Sequence, residues 1–494
     1  MLKRHWHYLL LLFLLFDLGY SFWHYLQFPL DGDLATVVWP HESFLRVLHD
    51  PFGLGVLLDH DVYPAPNRFF AHYFMFGYFR HVPLLLQKLS LSPVDSVYMA
   101  CGLLKIAVHA LMVYVLAVAV SNRYHVLNSG FLLAAALVAS FLQTSGFNNL
   151  MGVIDWSITY TWAYALPLGL LLLFFLPFVR SVLHDVPLQV SGVGVLGLVG
   201  LAVVLAFNGP VVPATALLIC PTALLLCWHR RFAARPATEP VGQRAWRALG
   251  ELPPVLLLAF GLLSLLSLYS LYIGRSNSEN LWVAMPLAER YARLAQGVLF
   301  QLTGEVQLTD KYGYSLLLGM LLVNAVILSQ CLPTPQAARV QAVLKWLGLF
   351  AVVYLLLLPL GGYRSYREYI VRRDSILPIT LGMMGAYAFS AYYLLTHLSP
   401  ATRWAYATLV VASLAVFTFT DQYQESQSNA CERSLFAQLA ASPEPIVRLP
   451  ATCTLMDWQP LTDYRKSELN AGLLHYWGIV KTPKRYYQQQ EPIP

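Results

Sequence analysis

Charged side chains are scarce in this sequence. Lysine, arginine, aspartate and glutamate make up only 12% of the 494 residues, whereas about a quarter is usual in a soluble domain. Hydrophobic residues make up 57% of the chain, and its mean hydropathy is +0.55. This composition excludes an ordinary soluble enzyme and predicts an integral membrane protein.

Sequence patterns for nucleotide or nucleic acid binding are missing as well. No Walker, Rossmann, zinc-binding or GxSxG pattern occurs, so we do not expect energy from nucleotide hydrolysis. The formal charge of +6 is not concentrated in a Lys/Arg-rich run on a soluble domain. Basic loops facing anionic membrane lipids explain this charge better than nucleic acid does.

Apolar runs are what the sequence has in abundance. A membrane-spanning helix needs about 17 to 25 predominantly apolar residues, and eleven segments are read as such spans. They lie near residues 8–28, 98–120, 129–143, 159–179, 191–208, 211–228, 253–273, 312–331, 346–361, 375–396 and 403–420. We therefore predict an all-α integral membrane protein with a polytopic part over residues 1–420 and a small C-terminal segment over 421–494.

The orientation follows from the short loops, because lysine and arginine prefer cytoplasmic loops. If the helices alternate in direction, Lys3, Arg4, Arg123, Arg180 and Arg339 fall on one side of the membrane. This pattern predicts a cytoplasmic N-terminus. The long first loop, residues 29–97, and the C-terminal segment are then on the outer side.

Cysteine usage bears on the compartment. Of the six cysteines, only Cys431 and Cys453 lie in the polar C-terminal segment. They are either two free thiols or a disulfide, and a disulfide requires an oxidising compartment such as the periplasm.

The first outer loop opens with an acidic stretch, PLDGDLATVVWPHE. One interpretation is local: Asp31 begins a turn and Asp33 caps a helix that starts at Leu34. The other is functional, because a carboxylate near a membrane surface, beside His41 and Glu42, can have its pKa raised toward that of a general base. His41 and Glu42 are then candidates for substrate binding, together with Asp155 in the second outer loop.

A second cluster lies in the loop GGYRSYREYIVRRDS, which places arginines on the predicted outer face against the usual bias. The guanidinium groups match phosphate oxygens bidentately, and tyrosines supply hydroxyl donors. A charged collar at the membrane surface is the alternative interpretation. The candidate phosphate ligands are Arg364, Arg367, Arg372, Arg373, Tyr363 and Tyr366.

These two stretches, PLDGDLATVVWPHE after the first helix and YRSYREYIVRRDS on the same predicted side, resemble the polytopic membrane glycosyltransferases of the GT-C fold. The resemblance covers the layout of the whole chain but rests on short motifs. It implies a sugar donor carried on polyprenyl phosphate, Asp33 or Asp31 as the catalytic base, and the loop arginines as ligands of the carrier phosphate. It also implies an active site on the periplasmic face of a bacterial inner membrane.

The resemblance implies an inverting transfer to an acceptor hydroxyl on a lipid, a glycan or a protein. Asp31 and Asp33 are in addition candidates for holding a divalent cation, although an acidic pair alone is a weak metal signal. Two alternatives stay open. One is a transporter or flippase of a lipid-linked saccharide, and the other is a glycan polymerase or ligase that uses an outer-loop histidine or arginine.

Overall fold

The computed structural model describes residues 2–142, 151–280, 285–303, 312–361, 369–421 and 428–489. This part of the chain is mostly helical. Its helices, in chain order, are α1 (Leu2–Tyr25), α2 (Leu34–Val38), α3 (Glu42–His49), α4 (Leu54–Leu58), α5 (Phe69–Lys88), α6 (Pro93–Ser121), α7 (Ser129–Ala139), α8 (Ile158–Tyr160), α9 (Leu166–His184), α10 (Gly192–Ala206), α11 (Val211–Ala234), α12 (Val241–Gly250), α13 (Pro254–Gly274), α14 (Leu287–Thr303), α15 (Gly313–Cys331), α16 (Pro335–Leu357), α17 (Arg373–His397), α18 (Pro400–Phe419), α19 (Ala430–Ala441) and α20 (Glu468–Tyr476). A π-helical turn, Thr161–Ala165, joins α8 to α9.

Within the described residues, eight helices are long and apolar enough to cross a membrane: α1, α6, the continuous α8 to α9, α11, α13, α15, α16 and α18. The prediction of a mainly helical, multi-pass membrane protein is confirmed. Every one of the eleven predicted segments overlaps a helix, but α7 and α10 have 11 and 15 residues and are shorter than a usual span. The count of eleven spans and the orientation of the chain stay predictions.

The helix α6 shows how the sequence sets these elements. Ser92 caps its N-terminus by accepting a hydrogen bond from the Asp95 N–H at 3.1 Å, and Pro93 occupies the first turn, where its missing N–H costs nothing. The helix ends at Asn122, which adopts the left-handed conformation that commonly terminates helices. The helix packs against α1, α5, α7 and α9, and it therefore lies at the centre of the bundle.

The long first loop is itself largely helical. It contains α2 to α5, and the first half of α5 is rich in aromatic residues. The C-terminal segment contains α19, α20 and two parallel strands, β1 (Ile446–Pro450) and β2 (Arg485–Gln489), in which Ile446 pairs with Arg485.

The C-terminal segment packs directly against the first loop. The indole of Trp477 is fully buried and donates to the Phe79 carbonyl of α5 at 2.9 Å. The ring of Trp39 lies 5.5 Å from that of Tyr476, centroid to centroid. The acidic stretch after α1 is therefore enclosed between the bundle and the C-terminal segment.

Candidate functional site

Asp31 is a fully buried carboxylate that accepts four hydrogen bonds. Its Oδ2 accepts from the Ser157 hydroxyl at 2.8 Å and from the Thr159 N–H at 3.0 Å. Its Oδ1 accepts from the Thr159 hydroxyl at 2.7 Å and from the Asp33 N–H at 3.0 Å. Since two carboxylate oxygens offer about four acceptor positions, these four hydrogen bonds occupy the Asp31 carboxylate fully. Three of these bonds join the acidic loop to Ser157 and Thr159 at the start of α8.

Asp33 is placed differently. It occupies the N-cap position of α2, but its side chain makes no capping hydrogen bond. Its Oδ1 instead accepts a hydrogen bond from the indole N–H of Trp458 at 3.1 Å. Burial, and after it the charge of Asp31, raise the pKa of Asp33 to about 6, although the bond from Trp458 lowers it. A half-buried carboxylate that titrates near neutral pH has the properties of a general base.

Trp458 belongs to the C-terminal segment, 425 residues after Asp33. Its ring lies 5.5 Å from that of Trp156 and 5.6 Å from that of Tyr160, centroid to centroid. Gly32 packs against its backbone so closely that an added Cβ would be 2.8 Å from the Trp458 nitrogen. The glycine between the two aspartates is therefore required by close approach to the C-terminal segment.

We expect Gly32→Ala to lower the free energy of unfolding by about 1–3 kcal/mol, because the new methyl group meets backbone atoms that cannot move aside separately. The measurement is the thermal unfolding midpoint of the detergent-solubilised protein. Gly77→Ala is the matched control, since no atom lies within 4 Å of its added Cβ. Equal losses in the two variants would contradict close packing at Gly32.

Asp155 forms the second acidic position of the site. It is buried, forms an ion pair with Arg373 at the start of α17, and accepts a hydrogen bond from the Ser157 N–H at 2.8 Å. Burial raises the pKa of Asp155, while the charge of Arg373 lowers it. The neighbouring Arg372 is bound to Asp374 at 2.8 Å. Each of these two predicted phosphate ligands thus has a carboxylate partner, which a phosphate would have to displace.

A small pocket lies beside the ion pair between Asp155 and Arg373. Its lining residues are Gly152, Val153, Asp155, Tyr160, Tyr164, Arg373, Asp374 and Leu377. Ser157 joins this pocket to the acidic loop, because its hydroxyl donates to Asp31 while its N–H donates to Asp155. Tyr160 contacts Trp458 on the other side. The structure therefore brings Asp31, Asp33, Asp155 and Arg373 into one continuous polar region.

An arginine outside the predicted set of site residues lies near Asp33. Arg68 precedes α5, and its positive charge lowers the pKa of Asp33 and of His72, whereas Glu279 raises both. Burial and the charge of Arg68 together lower the pKa of His72 to about 4, so this imidazole is neutral. The Arg68 guanidinium makes no hydrogen bond or ion pair with any residue that the structure describes. Its positive charge therefore acts on Asp33 and His72 without a direct hydrogen bond to either side chain.

The predicted substrate-binding residues His41 and Glu42 lie at the start of α3, and both are exposed. The His41 ring accepts a hydrogen bond from the Ser43 N–H at 3.4 Å. Among the described residues, neither of them forms a hydrogen bond or an ion pair with Asp31 or Asp33. Cys431 and Cys453 form a disulfide bond. The residues Tyr363, Arg364, Tyr366 and Arg367 lie outside the described residues.

Sequence reasoning missed Trp458 and Arg68. The stretch around Trp458, TLMDWQP, carries no recognisable motif, so only the folded structure brings it to Asp33. For Arg68 a signal was available, since it is a basic residue directly before the aromatic run of the acidic first loop. Within the described ranges, no group of three or more histidine, cysteine, aspartate or glutamate side chains is arranged to hold a metal ion.

No family model, curated protein or solved structure matches this chain.

Proposed function

We propose that this protein is a membrane glycosyltransferase that moves a sugar from a polyprenyl-phosphate carrier to an acceptor hydroxyl. The observation that carries the proposal is Asp33, a half-buried carboxylate with a pKa of about 6 that lies just after the first apolar helix and is influenced by the positive charge of Arg68. A carboxylate base and a guanidinium group close to the end of a predicted membrane-spanning helix suit a substrate whose phosphate is tethered to a lipid.

In the proposed reaction, the Asp33 carboxylate takes the proton of the acceptor hydroxyl while the hydroxyl oxygen attacks the anomeric carbon. The bond between that carbon and the phosphate oxygen breaks, and polyprenyl phosphate leaves with its negative charge. The Arg68 guanidinium stabilises this charge as it develops. Displacement in one step inverts the configuration of the anomeric carbon.

Asp31 and Trp458 support this chemistry without taking part in it. Asp31 fixes the acidic loop through its four hydrogen bonds and keeps the pKa of Asp33 high through its charge. Trp458 donates one hydrogen bond to Asp33. The Asp33 carboxylate is thereby oriented before substrate arrives, which lowers the cost of reaching the reactive geometry.

We further propose that the site faces the periplasm of a bacterial inner membrane. The disulfide between Cys431 and Cys453 supports this, because disulfides persist in oxidising compartments. The C-terminal segment that carries the disulfide also carries Trp458, so this compartment is that of the site. The loop residues Tyr363, Arg364, Tyr366 and Arg367 stay proposed ligands of the carrier phosphate.

The test uses the purified protein in lipid vesicles that contain polyprenyl-phosphate sugars, pentose and hexose in parallel, labelled in the sugar. We expect the label to leave the lipid and polyprenyl phosphate to accumulate. Labelled lipid that crosses the bilayer intact would identify a flippase and contradict the proposal. Sugar donors that stay uncleaved under every acceptor class tested, whether lipid, glycan or peptide, would contradict it as well.

Arg68→Ala is expected to raise the KM for the sugar donor at least about tenfold, since one charge-assisted contact contributes roughly 1.5–3 kcal/mol. Arg68→Lys retains the charge but not the bidentate geometry, and we expect an intermediate KM. The control is Arg275→Ala, an exposed arginine directly after α13. A donor KM that is the same in Arg68→Ala and Arg275→Ala would remove Arg68 from the proposed site.

A further inference from the structure

The first turn of α19 is bound to the end of α1. The Asn429 N–H donates to the Gln27 carbonyl at 2.6 Å, and the Asn429 side-chain amide donates to the Leu26 carbonyl at 2.9 Å. Arg433, which closes the same turn, donates to Asp95 of α6 at 2.6 Å. The start of α19 is therefore held where the acidic loop leaves the bundle.

Glu432 lies in this turn and is 1% exposed. Its Oε2 accepts from the Leu30 N–H at 2.9 Å and from the Tyr98 hydroxyl at 2.7 Å. Its Oε1 accepts from the Met456 N–H at 3.0 Å. A single carboxylate thus bonds two backbone segments and α6. Leu30 directly precedes Asp31, and Met456 is two residues before Trp458.

The disulfide lies beside the same carboxylate. Cys431 is the neighbour of Glu432 in sequence, and Cys453 is three residues before Met456. The covalent bond therefore limits the separation of α19 from the segment that carries Trp458, independently of the hydrogen bonds of Glu432.

We propose that Glu432 is a positioning residue for Asp33: its carboxylate and the adjacent disulfide hold the acidic loop and the Trp458 segment together. Asp33 is partly buried, and bonded to Trp458, only while those two segments stay in contact. The placement of Asp33 by Glu432 is a property of the fold. Its effect on sugar transfer rests on the proposed function.

The test reads the ionisation of Asp33 through Trp458 and needs no turnover. The full-length protein is labelled with 5-fluorotryptophan and studied by ¹⁹F NMR in detergent or nanodiscs as a function of pH. The chain has 12 tryptophans, so the Trp458 resonance is assigned with Trp458→Phe. We expect this resonance to shift with a midpoint at about pH 6, and Asp33→Asn to abolish that transition.

Glu432→Ala should lower the midpoint by about one pH unit or more, because the two segments separate and Asp33 approaches the ordinary aspartate pKa of about 4. Glu432→Gln retains acceptor and donor groups for two of the three contacts, so we expect a smaller shift. Burial raises the pKa of Glu432 itself to about 7. A pH titration of Asp33→Asn shows the effect of Glu432 alone, and comparison with the wild type then gives the effect of Asp33. Glu444→Ala, an exposed carboxylate in the same segment, is the matched control and should leave the midpoint unchanged.

A midpoint in both Glu432→Ala and Glu432→Gln that equals the wild-type value would overturn the proposal. If Glu432→Ala does not fold, the disulfide is removed instead with the double variant Cys431→Ser, Cys453→Ser. A titration midpoint equal to the wild-type value in both this double variant and Glu432→Gln would also overturn the proposal. Different results reject the proposed glycosyltransferase function and the proposed positioning role of Glu432. Absence of sugar transfer by the wild type rejects the proposed function, whereas an unchanged midpoint rejects the positioning role.

Discussion

Asp33→Asn is expected to lower turnover by about 100- to 10,000-fold, the range that a positioned general base contributes. The asparagine amide has nearly the same shape, and its oxygen can still accept the hydrogen bond from Trp458. It cannot accept a proton from the acceptor hydroxyl at neutral pH. The fold should therefore be retained while the reaction is lost, and turnover of the labelled sugar donor measures the effect.

Two control variants distinguish loss of the catalytic base from disruption of the structure of the acidic loop. Asp59→Asn, an exposed aspartate of the same loop, should leave turnover unchanged. Asp31→Asn should instead lower the free energy of unfolding by about 1–3 kcal/mol, because an amide nitrogen then faces the donors of Ser157 or Thr159. Asp33→Asn activity within a few-fold of wild type would exclude Asp33 as the base.

Arg373→Met is expected to lower the free energy of unfolding by about 3 kcal/mol, because it leaves the buried Asp155 carboxylate without its guanidinium partner. This expected loss is at the low end of the usual loss for removing one partner of a buried ion pair. The reason is that Asp155 still accepts a hydrogen bond from Ser157 and still interacts with the charge of Lys105. Chemical or thermal unfolding in detergent measures it.

The double variant Arg373→Met, Asp155→Asn provides the decisive comparison. Removing the charge of Asp155 as well should restore most of the lost stability, because no unpaired charge is then buried. The sequence predicts Arg373 to be a ligand of the carrier phosphate. If Arg373→Met raises the donor KM strongly while leaving stability at the wild-type value, Arg373 binds the phosphate and its ion pair with Asp155 does not stabilise the fold.

The acidic loop shows what the sequence could predict about the site. The placement of Asp31 and Asp33 directly after an apolar helix was visible in the sequence, and so was the choice between capping and catalysis. The sequence could not assign different roles to the two aspartates. Those roles depend on Ser157, Thr159 and Trp458, which reach the loop only through long-range packing.

For the fold, too, the sequence predicted the positions of the elements better than their roles. Apolar runs locate the helices because lipid demands internally hydrogen-bonded backbone, and each predicted segment overlaps a helix. Hydropathy does not distinguish a helix that spans the membrane from one buried within the bundle. The helix α17, predicted as a span, is buried over most of its length against α6, α7, α15 and α16, and its composition leaves it outside the eight apolar candidates.

The C-terminal segment was the least predictable part. Its length predicted a small C-terminal segment, but not that this segment supplies Trp458 to the site and Glu432 to the loop that carries Asp33. Neither residue belongs to a recognisable motif, and each takes its role from contacts with residues some 400 positions earlier in the chain. Such contacts follow from tertiary packing and not from local pattern.

The pH dependence of turnover tests the central claim most directly. Asp33 acts as a base only when ionised, and its pKa is about 6, so the rate should fall as the pH is lowered through 6 and then drop about tenfold per pH unit. The residual activity of Asp33→Asn should lack this decrease. A wild-type rate that stays constant between about pH 7 and pH 5 would contradict the assignment of Asp33 as the catalytic base.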